Sequence, residues 1–297
     1  MFSLILALSV VFPRDGQVLP PVSRCYVIGS VEKGVPSVTV QGREVPVYHT
    51  GAWATTVDLV EGSNTVRVGD CDLKLFVRSA PKNKTAAAAA AKKTYEKLEY
   101  AADTPKAHPA GKKPGEITVV IDPGHGGDDS GALSPRGFKE KDANLAVSKR
   151  VAAALLDRGY RVFMTRGGDK AVPLYDRPRL AHANGADAFI SIHHNAPPYD
   201  RDPVKARYAV VYAWNEIGEK LAVALNSRMA AATAGMIQNN GVNRANYAVT
   251  RNPEIPSCLI EVDFITSPEG EEASWDPARQ KLVADAIADG FDDWVRK

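Results

Sequence analysis

The sequence predicts an α/β protein, a twisted and mostly parallel sheet flanked by helices, preceded by a small all-β sandwich. Three observations carry that expectation. Short β-rich runs separated by turn signals fill residues 1–79. An abrupt change to alanine, lysine, proline and glycine follows over 80–116. From 117 to 297, apolar β-branched runs alternate with segments whose apolar residues recur at helical spacing.

The chain opens on MFSLILALSVVF, which reads either as the apolar part of a secretory signal or, in LSVVF, as a first strand. No basic segment precedes it and no small-x-small cleavage site follows, so the strand reading is preferred. SVTV, VPVY, WATTVDLV, NTVRV and LKLFV are then predicted strands, with QG at Gln41–Gly42 and EGSN at Glu61–Asn64 as turns. Their spacing suggests a sandwich and loosely resembles the immunoglobulin-like modules attached to many bacterial surface enzymes. Trp53 and His49 read as packing and surface residues. Of the three cysteines, Cys25 and Cys71 fall in this region, where an oxidising compartment would let them pair; Cys258 reads as a buried free thiol.

Within 80–116, TAAAAAAKKTYEKLEY has strong helix propensity, with Thr85 placed to cap it. Such a helix would be a spacer roughly 25 Å long. DTPKAHPAGKKPGE then reads as a linker, and its His108 as solvated.

From 117 onward, ITVVI, RVFMT, AFISIHH, ARYAVVYA, YAVT and SCLIEVDF are predicted strands. Helices are predicted over DANLAVSKRVAAALLDRG, ending at Gly159, around 177–184, over EIGEKLAVALNSRMAAATAG, and from about Pro277 to Val295. Charge is balanced, with a formal net of +2, and no aromatic-plus-basic motif is present, so nucleic acid is not an expected partner. No apolar run approaches the roughly 18 residues that span a membrane, so no transmembrane segment is expected.

Polar residues collect at the carboxyl ends of the predicted strands, where open α/β sheets bind ligands. His125 sits in IDPGHGG after the first strand, His193 ends AFISIHH, and Glu261 lies inside SCLIEVDF. Glu140, in GFKEKDANL, precedes a helix. Two histidines and a carboxylate are a common set for a catalytic zinc ion, leaving a fourth position for water. Each residue also has a plainer reading: a hydrogen-bonded histidine at a turn, or a glutamate at a helix N-terminus. Glu261 is the hardest to set aside, because a carboxylate in a core strand costs several kcal/mol unless paired or metal-linked.

In order, IDPGHGG, GFKEKDANLAVSKRV, FMTRGGDKAVPLYDR, ADAFISIHHNA and YAVTRNPEIPSCLIEVDFITSPEGE resemble the zinc-dependent N-acetylmuramoyl-L-alanine amidases, over about 180 residues. The resemblance implies a phosphorylase/hydrolase-like fold with Zn2+ held by His125, Glu140 and His193, and Glu261 as catalytic acid/base. The implied reaction is hydrolysis of the amide between the lactyl group of N-acetylmuramic acid and L-alanine, which makes peptidoglycan the partner. Asn195 and Arg251 match recurrent cleft positions and are expected substrate contacts. His194, where such enzymes often have a small residue, is expected to touch substrate or solvent. His182 stands where they usually have Asn and is expected to be structural. Thr266–Ser267 replaces their frequent SN, which leaves a local turn contact open. Some relatives carry a helical insertion after the SIHxN strand that covers the zinc; only about ten residues follow Asn195 here, so no built-in plug is expected.

The expected organisation is therefore 1–79 sandwich, 80–116 helix and linker, and 117–297 catalytic domain. The chain is expected to be a monomer acting outside the cytoplasm, in the periplasm or cell wall. Its β module would contact wall glycan or a regulator, or simply act as a spacer. A zinc carboxypeptidase on a similar fold and a non-catalytic wall-binding protein are the competing readings.

Overall fold

The computed structural model describes residues 8–80, 109, 111–252 and 254–296. The predicted alanine–lysine helix, His108 and most of the linker lie outside the described residues.

The N-terminal strands are β1 (Ser9–Phe12), β2 (Val18–Leu19), β3 (Arg24–Ser30), β4 (Ser37–Val40), β5 (Arg43–Pro46), β6 (Ala52–Asp58), β7 (Gly62–Val68) and β8 (Cys71–Val77). They form two sheets, ordered β1-β3-β6 and β2-β8-β7-β4-β5. Leu19, Val27, Val40, Trp53 and Val66 fill the core of this region. LSVVF thus yields a strand from Ser9 onward. VPVY is displaced, with β5 starting at Arg43 because it pairs antiparallel with β4 through Val40 and Arg43. β3 was not expected from RCYVIGS. Its second to sixth residues are all buried, so the alternation that marks a one-sided strand is missing. The cause is packing on both faces. Cys25 and Val27 enter the core, while Tyr26 lies against Phe12 and Tyr199. Cys25 and Cys71 are not bonded to each other: Cys25 is buried and Cys71 exposed.

The second region holds β9 (Thr118–Pro123), α1 (Glu140–Asp157), β10 (Arg161–Met164), α2 (Asp176–Ala183), β11 (Ala188–Asn195), β12 (Tyr208–Ala213), α3 (Glu216–Ala232), β13 (Gln238–Arg244), β14 (Ser257–Phe264), α4 (Pro268–Trp275) and α5 (Pro277–Arg296). The sheet order is β10-β9-β11-β14-β12-β13. All neighbours run parallel except β12 against β14. One face, with Ile121, Ile190, Ile192 and Ile260, packs against α1, α3 and α5. The other, with Val120, Phe189 and Leu259, is covered by a smaller cluster that includes Ala181 of α2.

YAVT is not a strand. Val249 and Thr250 are buried in a turn, where the Thr250 hydroxyl donates to the carbonyls of Ala245 and Tyr247. The strand is instead β13, QNNGVNR, a polar edge strand with no apolar alternation to reveal it. The short α4 was also unexpected; Ser267 caps it by accepting from the Gly270 N–H at 2.8 Å. The serine of Thr266–Ser267 is therefore a helix cap.

Candidate metal centre

The site grows from the end of β9. The Gly124 N–H donates to the Ile192 carbonyl at 3.0 Å, carrying the ladder one residue past the strand. The chain then turns, with His125 in the left-handed region at φ 61°. Two buried arginines hold this turn. Arg177 donates to the carbonyls of Pro123 and His125 and to Asp122, each at 2.8 Å. Arg166 donates to the carbonyls of Pro123 at 3.0 Å and of Gly124 and Lys141 at 2.8 Å. Their guanidinium forks satisfy carbonyls that no strand pairs.

Glu140 is the first residue of α1, where the helix dipole favours a negative charge. Its Oε2 accepts the Ala132 N–H at 2.9 Å. Its Oε1 accepts the Asn144 amide at 3.0 Å and the His194 N–H at 3.3 Å. His125 Nε2 and His193 Nδ1 each lie 3.1 Å from the same Oε1. The other nitrogen of His125, Nδ1, is 2.8 Å from Asp129 Oδ2, so a carboxylate orients the ring. Ligand atoms of His125, Glu140 and His193 all fall within 4.8 Å of one another. Glycine is needed beside them. A Cβ on Gly124 would stand 2.2 Å from His193 Nε2, and one on Gly131 2.5 Å from Glu140 Oε2.

Burial works against ionisation of both partners, but each overcomes it through the other. Hydrogen bonds from His125 and His193 hold the Glu140 carboxyl well below its ordinary range. Glu140, then Asp129, hold His125 up to about 9.

Glu261 is the register partner of His193 across the parallel β11–β14 ladder, so both side chains emerge on one face. Its Oε2 is shielded from solvent and has no hydrogen-bond partner among the described residues. Burial first, then the charge of Glu140, push its carboxyl well up. The rings of Tyr212 and Tyr247 meet edge to face at 5.2 Å on the same side, and burial pushes the Tyr212 hydroxyl up to about 12.

His125, Glu140 and His193 therefore converge, with Glu261 beside them. Asn195 ends β11 and its Oδ1 accepts the Ala196 N–H. Arg251 is half-buried and donates to the Asn246 carbonyl at 3.1 Å. His194 departs from expectation: it is 2% exposed and touches neither solvent nor an open cleft. Adjacent strand residues face opposite ways, so His194 turns into the helix-covered core, where its Nδ1 meets Asn144 Oδ1 at 2.8 Å. His182 lies 3.5 Å from Glu254 Oε2, and His49 bonds Glu272. Sequence reasoning missed Asn144, Arg166 and Arg177. Asn144 follows Glu140 by four residues, a spacing that places both on one helix face; no comparable signal marks the arginines.

A mostly parallel sheet that gathers two imidazoles and a carboxylate beyond its strand ends, with a second acid alongside, defines a hydrolase built on a candidate metal centre. The family model described as N-acetylmuramoyl-L-alanine amidase matches residues 119–293. The chain belongs to that family. It is 33% identical over 231 residues to N-acetylmuramoyl-L-alanine amidase AmiA of Escherichia coli, covering 63% of this chain and 78% of that protein. It is 39% identical over 176 residues to the probable cell wall amidase LytH of Staphylococcus epidermidis, covering 59% of this chain and 57% of that one. Among solved structures, N-acetylmuramoyl-L-alanine amidase AmiC2 of Nostoc punctiforme superposes with a TM-score of 0.58 at 35% identity, covering 61% of this chain and 98% of that chain.

Proposed function

We propose that this chain hydrolyses the amide joining the lactyl group of N-acetylmuramic acid to L-alanine in peptidoglycan. In this reading Zn2+ is held by His125 Nε2, Glu140 Oε1 and His193 Nδ1, and Glu261 is the proton carrier. The observation that carries it is the placement of two imidazole nitrogens 3.1 Å from one buried carboxylate oxygen. Zinc–ligand distances of about 2.0–2.1 Å set tetrahedral ligand atoms roughly 3.4 Å apart, so the donor set fits. Gly124 and Gly131 support the fit, since a side chain at either would fill the space the ligands occupy.

Bound zinc would polarise the scissile carbonyl and make water a nucleophile at neutral pH. The chain's own residues do the rest. Asp129 keeps the His125 ring in place, leaving Nε2 directed inward. Asn144 and the N–H groups of Ala132 and His194 fix the Glu140 carboxylate, so it need not reorganise during turnover. Glu261, with an affinity for protons raised by burial, takes the proton of the attacking water and returns it to the departing alanine nitrogen. Asn195 and Arg251 are proposed to contact substrate at the cleft rim.

We extend the proposal to the division of the chain into 1–79, 80–116 and 117–297, to a monomeric state, and to action outside the cytoplasm, where the substrate lies. Among the described residues no helix is long and apolar enough to cross a membrane. The segment 196–207, between β11 and β12, contains no helix, which favours a site without a built-in plug. The β region is proposed to meet wall glycan or a regulator. Metal analysis with muropeptide mass spectrometry of digested sacculi tests the central claim. Intact stem peptides and a Glu261→Gln variant slowed about 10²–10⁴-fold are expected. Cuts inside the peptide, or a variant as fast as wild type, would overturn it.

A further inference from the structure

We propose that His194 is a positioning residue for the Glu140 carboxylate, acting through Asn144, and that one buried water joins its far nitrogen to Arg279. The inference rests on the metal-centre reading above and goes one shell further out.

The hydrogen-bond directions follow from donor and acceptor counts. The Asn144 NH2 group points at two acceptors, Glu140 Oε1 at 3.0 Å and the Gly124 carbonyl at 3.4 Å. That fixes the amide orientation, so Asn144 Oδ1 must accept, and His194 Nδ1 at 2.8 Å must carry the proton. A neutral ring protonated on Nδ1 presents a bare lone pair at Nε2. That Nε2 is buried and without a partner among the described residues.

The lone pair opens on a small chamber between α1, β14, α4 and α5, of about 10 Å³. Most polar groups lining it are already engaged. Asp263 holds Arg207 through both oxygens at 2.9 Å. Gln280 donates to the Ser274 carbonyl at 2.7 Å and accepts from Arg150 at 3.0 Å. The Ser274 hydroxyl donates to the Gly270 carbonyl at 2.6 Å. Arg279 also lines the chamber. It is 9% exposed, and its Nη2 is buried without a partner among the described residues. Among the described lining residues, His194 Nε2 and Arg279 Nη2 are the acceptor and donor left without any partner, around a space at the lower limit for a single water, about 10–15 Å³. A water donating to His194 Nε2 and accepting from Arg279 Nη2 satisfies both. An anion would face the imidazole lone pair and is disfavoured.

The result is a relay from α5 to the metal centre: Arg279, water, His194, Asn144, Glu140 Oε1. Its physical effect is to stop the Asn144 amide from rotating, which keeps a donor aimed at the Glu140 carboxylate. Outer groups of this kind change metal affinity by about 10–100-fold.

The test uses the full chain and zinc, with affinity read by chelator competition. His194→Asn keeps a donor at the Nδ1 position, and its zinc affinity should stay within about threefold of wild type. His194→Gln and His194→Ala lack that donor and should bind zinc about 10–100-fold more weakly. A purely structural role would instead lower thermal stability in all three and leave affinity unchanged, which would overturn the proposal. On wild type, nitrogen NMR should show the Nδ1–H tautomer at His194, and a high-resolution crystal structure should show a water within about 3.2 Å of both Nε2 and Nη2. An Nε2–H tautomer, or no water there, would overturn it whatever the variants do. Wild-type protein that binds no zinc would fail the metal-centre reading itself, a result distinct from normal zinc binding by His194→Ala.

Discussion

At Gly131 one added carbon would both crowd the site and strain the backbone. Its φ is +62°, and a Cβ there would meet Glu140 Oε2 at 2.5 Å and His125 Cδ2 at 2.7 Å. Gly131→Ala should therefore weaken zinc binding at least tenfold, and backbone strain should lower stability by more than about 1 kcal/mol; chelator competition and urea titration read the two effects separately. The thiols give a second expectation. Cys71 is exposed, whereas burial pushes the Cys25 thiol up to about 12 and raises that of Cys258 further. Mass spectrometry after native alkylation should find Cys71 modified and the other two untouched. The sign of the pH effect follows: above about pH 8.5 the unfolded chain's thiols ionise while the two buried ones stay protonated. The unfolded state then binds fewer protons, so their contribution to stability is full below that pH and falls as pH rises. At this scale the sequence showed what is chemically unusual. His125 and His193 at strand ends, Glu261 inside a core strand and Glu140 at a helix start stand out as residue types, but Arg166 and Arg177 do not, because an arginine's burial is decided by which carbonyls the fold brings to it.

Elements were legible where one face is wet, as in SVTV and RVFMT, or where a long apolar run marks a strand buried on both faces, as in SCLIEVDF. The shorter run of β3, packed on both faces, and the polar edge strand β13 gave no periodic signal. The same two-sidedness explains the error at His194. β11 offers His193 to the cleft and the next residue to the core, and a histidine's type does not say which face is covered. Helix α4 makes a related point with neighbouring carboxylates. Glu271 is fully buried and receives both the backbone N–H and the guanidinium of Arg136, in the loop that leads to Glu140. Glu272 is 45% exposed and reaches the β region instead. Glu271→Ala should remove the carboxylate partner of Arg136, cost about 1–3 kcal/mol and lower zinc affinity. Glu272→Ala should cost under about 1 kcal/mol and leave affinity alone. Equal effects of the two in denaturant titrations would refute this account of the helix.

Across the whole molecule, the change from an all-β region to an α/β region was readable, but the docking was not, because contacts between distant segments have no local pattern. The Tyr26 N–H donates to the Tyr199 carbonyl at 2.8 Å, and Phe12 stacks on Tyr199 at 5.5 Å. Tyr48 donates to Glu272 at 2.9 Å, and His49 Nε2 lies 2.9 Å from the same carboxylate. Tyr199 lies four residues after Asn195, the last residue of β11, so the β region grips the chain just downstream of His193. Stacked aromatic pairs are worth about 0.5–1.5 kcal/mol beyond their buried area, enough to hold two regions together but less than either core. Tyr199→Ala should therefore separate thermal unfolding into two calorimetric transitions where wild type shows one. Digestion of sacculi by the variant should persist without any added partner, because the proposed ligands and Glu261 sit on α1, β11, β14 and the turn after β9. A single unchanged transition would mean that the contacts at Glu272 suffice for docking. Loss of digestion with the transitions unchanged would show instead that the β region helps shape the site through segment 196–207.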